Sequence, residues 1–212
     1  MTANALKGKI MTKHHAPRSV RVATVADIDG ITECLTTAFF HDPLWGPAFP
    51  DVSLRAMQAS TMWRQYATSA LSYPWTLVTE GVEAVAVWIP PGGSELGPEE
   101  QAGMRNLLLR TMKSEEVKAI FKIYEQLEAA LPEEPYFYLT LLGVHDRHRG
   151  HGIGMHLLRE SLERIDTLGA PAYLESSNPI NIARYACAGF TPRDEIEIAT
   201  GHVVTTMWRP GR

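Results

Sequence analysis

Ser19 to Thr24 (SVRVAT) alternates apolar and polar residues, the two-residue period of a strand. From Val25 the period lengthens: Ile28, Ile31, Leu35, Ala38 and Phe39 fall at three- and four-residue spacings, one face of a helix. That helix is expected to stop near His41-Asp42-Pro43, because proline disfavours helical geometry in the residue before it. Leu44 to Pro50, with Trp45, Phe49 and two prolines, reads as an ordered loop. A second helical stretch, about Ser53 to Leu71, carries Met57, Met62, Trp63 and Tyr66.

Trp75 to Thr79 and Val82 to Ile89 are strand-like runs joined through Glu80-Gly81, a hairpin turn, and Pro90-Pro91-Gly92-Gly93 ends the second. Helical segments follow at about Pro98 to Met112 and Glu115 to Ala130, closed by Pro132-Glu133-Glu134-Pro135. Tyr136 to Val144 (YFYLTLLGV) is apolar on both faces, as a central strand must be. After it come a loop (Arg147–Gly154), a helix (Gly152–Leu168), a strand (Ala172–Glu175), a helix (Asn181–Ala188) and two strands (Glu195–Thr200 and His202–Trp208). Neither an internal repeat nor a low-complexity linker marks a domain boundary. Residues 19–212 are therefore expected to form a single domain with a helical insertion at about 98–131, preceded by a flexible tail, 1–18.

Composition narrows the function. With 45% hydrophobic and 21% charged residues among 212, wholesale disorder is excluded. The net charge of −4 argues against a nucleic-acid partner, which calls for a basic surplus against phosphate. No apolar run reaches the roughly 18 residues needed to cross a bilayer, so no membrane partner is expected. Lys7, Lys9, Lys13 and Arg18 interrupt the amino-terminal segment where a secretory signal would need a continuous apolar stretch. Two cysteines, Cys34 and Cys187, make no disulfide framework, and a reducing cytoplasm is the expected compartment.

The candidate chemistry lies after the central strand, in Leu142-Gly143-Val144-His145-Asp146-Arg147-His148-Arg149-Gly150-His151-Gly152-Ile153-Gly154. Alternating glycines allow positive backbone angles and close approach of main-chain amides to a ligand. The unpaired amides and the dipole at the start of the next helix favour an anion, most naturally a phosphate or pyrophosphate, with Arg147 and Arg149 adding charge. The dinucleotide pattern G-x-G-x-x-G fails, because position 155 is Met155, and no glycine pair is spaced as in G-x-x-x-x-G-K-[ST]. His145, His148, His151 and His156 crowd this loop, but a cationic phosphate loop would repel a dication, so solvated histidines and no metal are expected. Cys187 reads as a small buried helix residue.

Arg149-x-x-Gly152-x-Gly154 after a strand ending in Val144 resembles the acetyl-coenzyme A signature of the GNAT superfamily of N-acetyltransferases. A second block is similar to that family at the expected distance: Glu175-Ser176-Ser177-Asn178-Pro179-Ile180-Asn181, then Tyr185-Ala186-Cys187-Ala188-Gly189-Phe190. Together the motifs span about residues 136–190. Further similarity in FFHDP, VAVWIPPG and YFYLTLLGV points toward the branch of puromycin-type acetyltransferases of actinobacteria. Asp146 departs from the pattern, standing where the family often has proline.

The resemblance implies an α/β (α+β) fold, a mixed, mostly antiparallel central sheet of about six to seven strands flanked by helices. It implies acetyl-coenzyme A as co-substrate, its pantetheine arm along the backbone of Leu142 and Val144. Its pyrophosphate would sit on the amides of Arg149, Gly150, His151, Gly152, Ile153, Gly154 and Met155. Tyr185 matches the tyrosine that sits near the coenzyme sulfur in many members, and would act as general acid to the thiolate expelled from a tetrahedral intermediate. The attacking amine must be neutral, and Glu175 is the first candidate base, with capping of the following loop as its other reading. Asn178 and Asn181 either bind coenzyme or cap the helix that follows. Trp45, Phe49, Trp63, Tyr66, Trp88, Tyr136 and Tyr138 are expected to be mostly core, with about two touching substrate in an acceptor pocket.

The leading expectation is direct acetyl transfer to a primary amine of a small molecule, the insertion shaping the acceptor site and able to support a homodimer. Acetylation of a protein amino terminus or lysine would call for a dense acidic groove. The pairs Glu99-Glu100, Glu115-Glu116 and Glu133-Glu134 are instead spread out. A non-catalytic acyl-coenzyme A-binding module would have no need of Tyr185.

Overall fold

The computed structural model describes residues 19–212, and the expected tail at 1–18 lies outside the described residues. Seven strands form one sheet: β1 (Val20–Val22), β2 (Thr76–Thr79), β3 (Ala84–Ile89), β4 (Phe137–Val144), β5 (Ala172–Ser176), β6 (Thr191–Glu197) and β7 (Val203–Arg209). Their order is β1-β2-β3-β4-β5-β7-β6, antiparallel throughout except for the parallel pair β4–β5. The mixed, mostly antiparallel architecture is as the resemblance implies, and the central place of the 136–144 run is as the pattern predicts. Parallel neighbours need a crossover, here α6 (Ile153–Asp166).

Alternation along the strands sorts side chains into two cores. In β3, Val85, Val87 and Ile89 join one cluster while Ala84, Ala86 and Trp88 join the other. The first core is closed by α1 (Ile28–Phe39), α3 (Arg55–Ala70), α4 (Pro98–Leu108) and α5 (Ser114–Glu128). The second is closed by α6 through Leu157, Leu158, Leu162 and Ile165, each within 4% of full burial. Full burial of such a side chain contributes about 1.5–3 kcal/mol, which fixes α6 against the sheet. Arg209, 2% exposed, donates two hydrogen bonds of 2.6 and 2.7 Å to Asp166, tying the end of α6 to β7.

Three differences from the sequence pattern have physical causes. The expected loop at 44–50 contains a helical turn, α2 (Trp45–Ala48), because Asp42 Oδ1 accepts the amides of Leu44 and Trp45 and caps it. The penultimate strand runs 191–197 rather than 195–200. It is the sheet edge, almost wholly exposed, so it shows little two-residue apolar period. In β4 the register against β3 jumps from Val87↔Leu141 to Trp88↔Leu139, leaving Thr140 as a bulge. Among the described residues no helix is long and apolar enough to cross a membrane.

Candidate active site

β4 and β5 pair only from Phe137↔Ala172 to Leu139↔Leu174. Past that point the two strands part, and a cleft of about 520 Å³ opens between them. Its walls come from both strands, the α1–α2 loop, α3, α5, the glycine loop and the short helix α7 (Ile182–Cys187).

At one end is the glycine loop. Gly150 (φ 80) and Gly152 (φ 72) take left-handed angles, which glycine adopts without a Cβ clash. A Cβ at either would meet nothing within 4 Å, so the loop presents bare backbone to open space. At Gly154 a Cβ would lie 2.8 Å from Val144 Cγ2; glycine there lets α6 pack closely on β4. The amides of Gly150, Gly152, Ile153, Gly154 and Met155 make no hydrogen bond among the described residues. Those at the head of α6 are what a helix start leaves over. The Arg149 guanidinium donates to the carbonyls of Thr37 (3.2 Å) and Ala38 (2.6 Å), so it caps the end of α1 while bordering the cleft. Every residue expected on the coenzyme side lines the cleft except His151, whose Nδ1 lies 3.3 Å from the His148 carbonyl. Asn178 caps the following turn, its Oδ1 accepting the Ile180 amide, whereas the Asn181 side chain accepts from Arg184 (2.8 Å) and does not cap α7.

Farther along, two acids face the cleft. Glu175 accepts the hydroxyls of Tyr138 (2.6 Å) and Tyr173 (3.0 Å), so it is held across the sheet and does not cap the loop after it. Burial pushes its carboxyl up to about 7, against the pull of the two hydroxyls. Glu95, from the loop before α4, accepts a hydrogen bond from the Thr140 hydroxyl at the bulge. Burial, with the charges of Glu175 and Glu128, raises it to about 8. Tyr185, in α7, packs edge-on to Phe190, and no hydrogen bond engages its hydroxyl among the described residues. Burial and the Asp42 carboxylate push this phenol up to about 12. Asp42 Oδ2 in turn accepts the Ser177 hydroxyl at 2.8 Å.

Aromatic rings wall the acid end. Trp45 meets Trp63 edge-on at 5.5 Å and Tyr124 at 5.2 Å, and Tyr124 stacks on Tyr66 at 5.4 Å. Of the aromatic set singled out in the sequence, Trp45, Trp63, Tyr66 and Tyr138 line the cleft, while Phe49, Trp88 and Tyr136 do not. Sequence reasoning missed Glu95, Thr140, Tyr124 and Asp42. The one available signal for Glu95 was a lone acid between the turn residues Gly92-Gly93 and Gly97-Pro98. Cys187 is exposed, not buried, because it lies on the outer side of a short helix with no buried residue. No group of three or more metal-ligating side chains is arranged to hold an ion among the described residues.

One parallel pair splaying over a glycine loop is the arrangement that the resemblance implies. Residues 104–190 match the model of the acetyltransferase (GNAT) family. Enzymes of that family take their acetyl group from acetyl-coenzyme A. Solved structures share the fold. A Corynebacterium glutamicum protein described as histone acetyltransferase HPA2 and related acetyltransferase superimposes with a TM-score of 0.67 at 21% identity, over 93% of this chain and 98% of that one. Drosophila melanogaster polyamine N-acetyltransferase gives 0.61 at 17% identity, covering 91% and 99% of the two chains. Arylalkylamine N-acetyltransferase 2 of Aedes aegypti gives 0.58 at 19%, covering 91% and 98%.

Proposed function

We propose that this enzyme transfers the acetyl group of acetyl-coenzyme A directly to a primary amine of a small molecule, with Glu175 as base and Tyr185 as acid. The observation that carries the reading is one cleft with unspent loop amides at one end and, along its walls, a buried carboxylate and a phenol without a partner. The bare-backbone loop at Gly150 and Gly152 leaves room for a pyrophosphate on the amides from Arg149 to Met155. The edge of Leu142 and Val144, past the last β4–β5 pair, is left to hydrogen-bond an amide-bearing arm. When bound, the coenzyme supplies the acetyl thioester.

Glu175 at about 7 is ionised often enough near neutrality to accept a proton from the incoming ammonium. Tyr185 at about 12 stays protonated there and can donate to the departing sulfur. The stretch 98–131 closes the acceptor end in this reading, through Tyr124 and Leu127 of α5.

A thermal-shift titration with acetyl-coenzyme A tests it, followed by free-thiol release with a panel of amines. At a hundredfold excess over the dissociation constant the coenzyme should stabilise the fold by about 2.7 kcal/mol. Gly152→Glu, which sets a charge and a side chain into the open space over the loop, should abolish the shift. A wild-type protein unmoved by millimolar coenzyme would overturn the reading.

A further inference from the structure

Three features of the acceptor end fix the kind of molecule it suits. The first is charge. Glu95 and Glu175 both face the cleft, whereas its arginines, Arg149 and Arg184, belong to the glycine loop and α7. Both arginines are engaged, Arg149 on the carbonyls of Thr37 and Ala38 and Arg184 on Asn181. A carboxylate entering the acid end would meet two further carboxyl groups and no free guanidinium to pair with.

The second is the unequal use of the two acids. Glu175 accepts a tyrosyl hydroxyl on each oxygen, Tyr138 on Oε2 and Tyr173 on Oε1. Glu95 accepts one, from Thr140 on Oε1, and its Oε2 has no donor among the described residues. The third is the wall: Trp45, Trp63, Tyr66 and Tyr124 give a cation faces to lie on and give an apolar body a surface to bury.

We propose that Glu95 is the residue that binds the acceptor's ammonium group, and that the acceptor is a primary amine on an aromatic or bulky apolar body carrying no carboxylate. This rests on the transferase reading above and divides the work between the acids. Glu95 holds the ammonium on its unused oxygen. One N–H bond then breaks, its electron pair stays on nitrogen as the nucleophile, and the proton goes to Glu175. The raised state of Glu95 is consistent with a site that awaits a cation, since a bound ammonium favours its ionised form.

The test compares kcat/KM for 2-phenylethylamine, phenylalanine and 1,4-diaminobutane in the wild-type enzyme and in Glu95→Gln and Glu95→Asp. Phenylethylamine should exceed phenylalanine, which has the same body plus a carboxylate, by about a hundredfold or more, and the diamine by about tenfold. Glu95→Gln should raise KM for phenylethylamine about tenfold and narrow its lead over phenylalanine by a similar factor. The acetyl-coenzyme A dissociation constant and the melting temperature with coenzyme bound should report a folded, loaded protein. Glu95→Asp, which keeps the charge, should restore part of the ranking. A purely structural glutamate would move stability without moving the ranking. Preference for phenylalanine or the diamine, or a ranking unchanged in Glu95→Gln, overturns this inference and leaves the transferase reading standing. Coenzyme binding with no turnover of any amine overturns both.

Discussion

Tyr185 and Glu95 illustrate opposite ways in which a residue acquires a role. Tyr185 is legible from its neighbours, because Gly189-Phe190 follow it at a fixed distance and the short helix they end turns it into the cleft. Its hydroxyl is unclaimed and its proton firmly held, which suits a donor. Tyr185→Phe should therefore lower kcat by on the order of 10²-fold or more while acetyl-coenzyme A binds within about twofold of wild type. Stopped-flow thiol release beside calorimetric binding would check it, and an unchanged kcat would remove Tyr185 from the chemistry. Glu95 has no such local mark. It becomes special through burial, the Thr140 hydroxyl and Glu175, and those partners lie 45 and 80 residues away in the chain. Spacing rules reach along one element, and a carboxylate tuned by two others falls outside them.

At the scale of elements, sequence and structure agree best where a side chain's surroundings are dictated on all sides. β4 is buried on both faces and reads as a continuous apolar run, and the glycines after it follow from backbone geometry. β6 agrees least, since Pro192, Arg193, Asp194 and Glu195 lie on an exposed edge where no core selects every second residue. Edges favour such residues because they discourage pairing with other chains. The α6–β4 contact yields a sharp expectation. With Val144 Cγ2 only 2.8 Å from a would-be Cβ, Gly154→Ala should force the helix off the strand and cost about 1–3 kcal/mol. Urea unfolding would read that loss, and Gly103→Ala, at an exposed helical site with nothing within 4 Å, should be neutral or stabilising by comparison.

For the molecule as a whole, the acid end sets how stability responds to pH. Glu95 and Glu175 titrate near 8 and 7 in the fold and near 4.5 when unfolded, so the native state holds protons that the unfolded chain has already shed. Stability therefore falls as pH rises from about 4.5 toward 8, each group contributing up to about 1.4 kcal/mol per pH unit. Asp27 and Asp166 act the other way: hydrogen bonds from Arg21 and Arg209 hold their carboxyls below the ordinary range, so their contribution is lost in acid. Melting temperature should peak in the mildly acidic range and decline toward pH 8, and Glu95→Gln should flatten the alkaline side. A wild-type curve that rises steadily from pH 5 to 8 would contradict the enclosure of both acids. None of this was visible in a net charge of −4, which counts the carboxylates without their surroundings.

The bulge at Thr140 carries a consequence for how the gene can vary. One residue without an opposite number makes Tyr138 and Leu141 share the first core while Leu139 faces the second. Removing it would heal the ladder, because Trp88↔Leu139 and Val87↔Leu141 would then follow without a gap and Leu141 to Val144 would keep their compartments. What a deletion at 140 would take away is the hydroxyl on which Glu95 rests. A residue lost elsewhere in the strand would instead turn its far half to the other face.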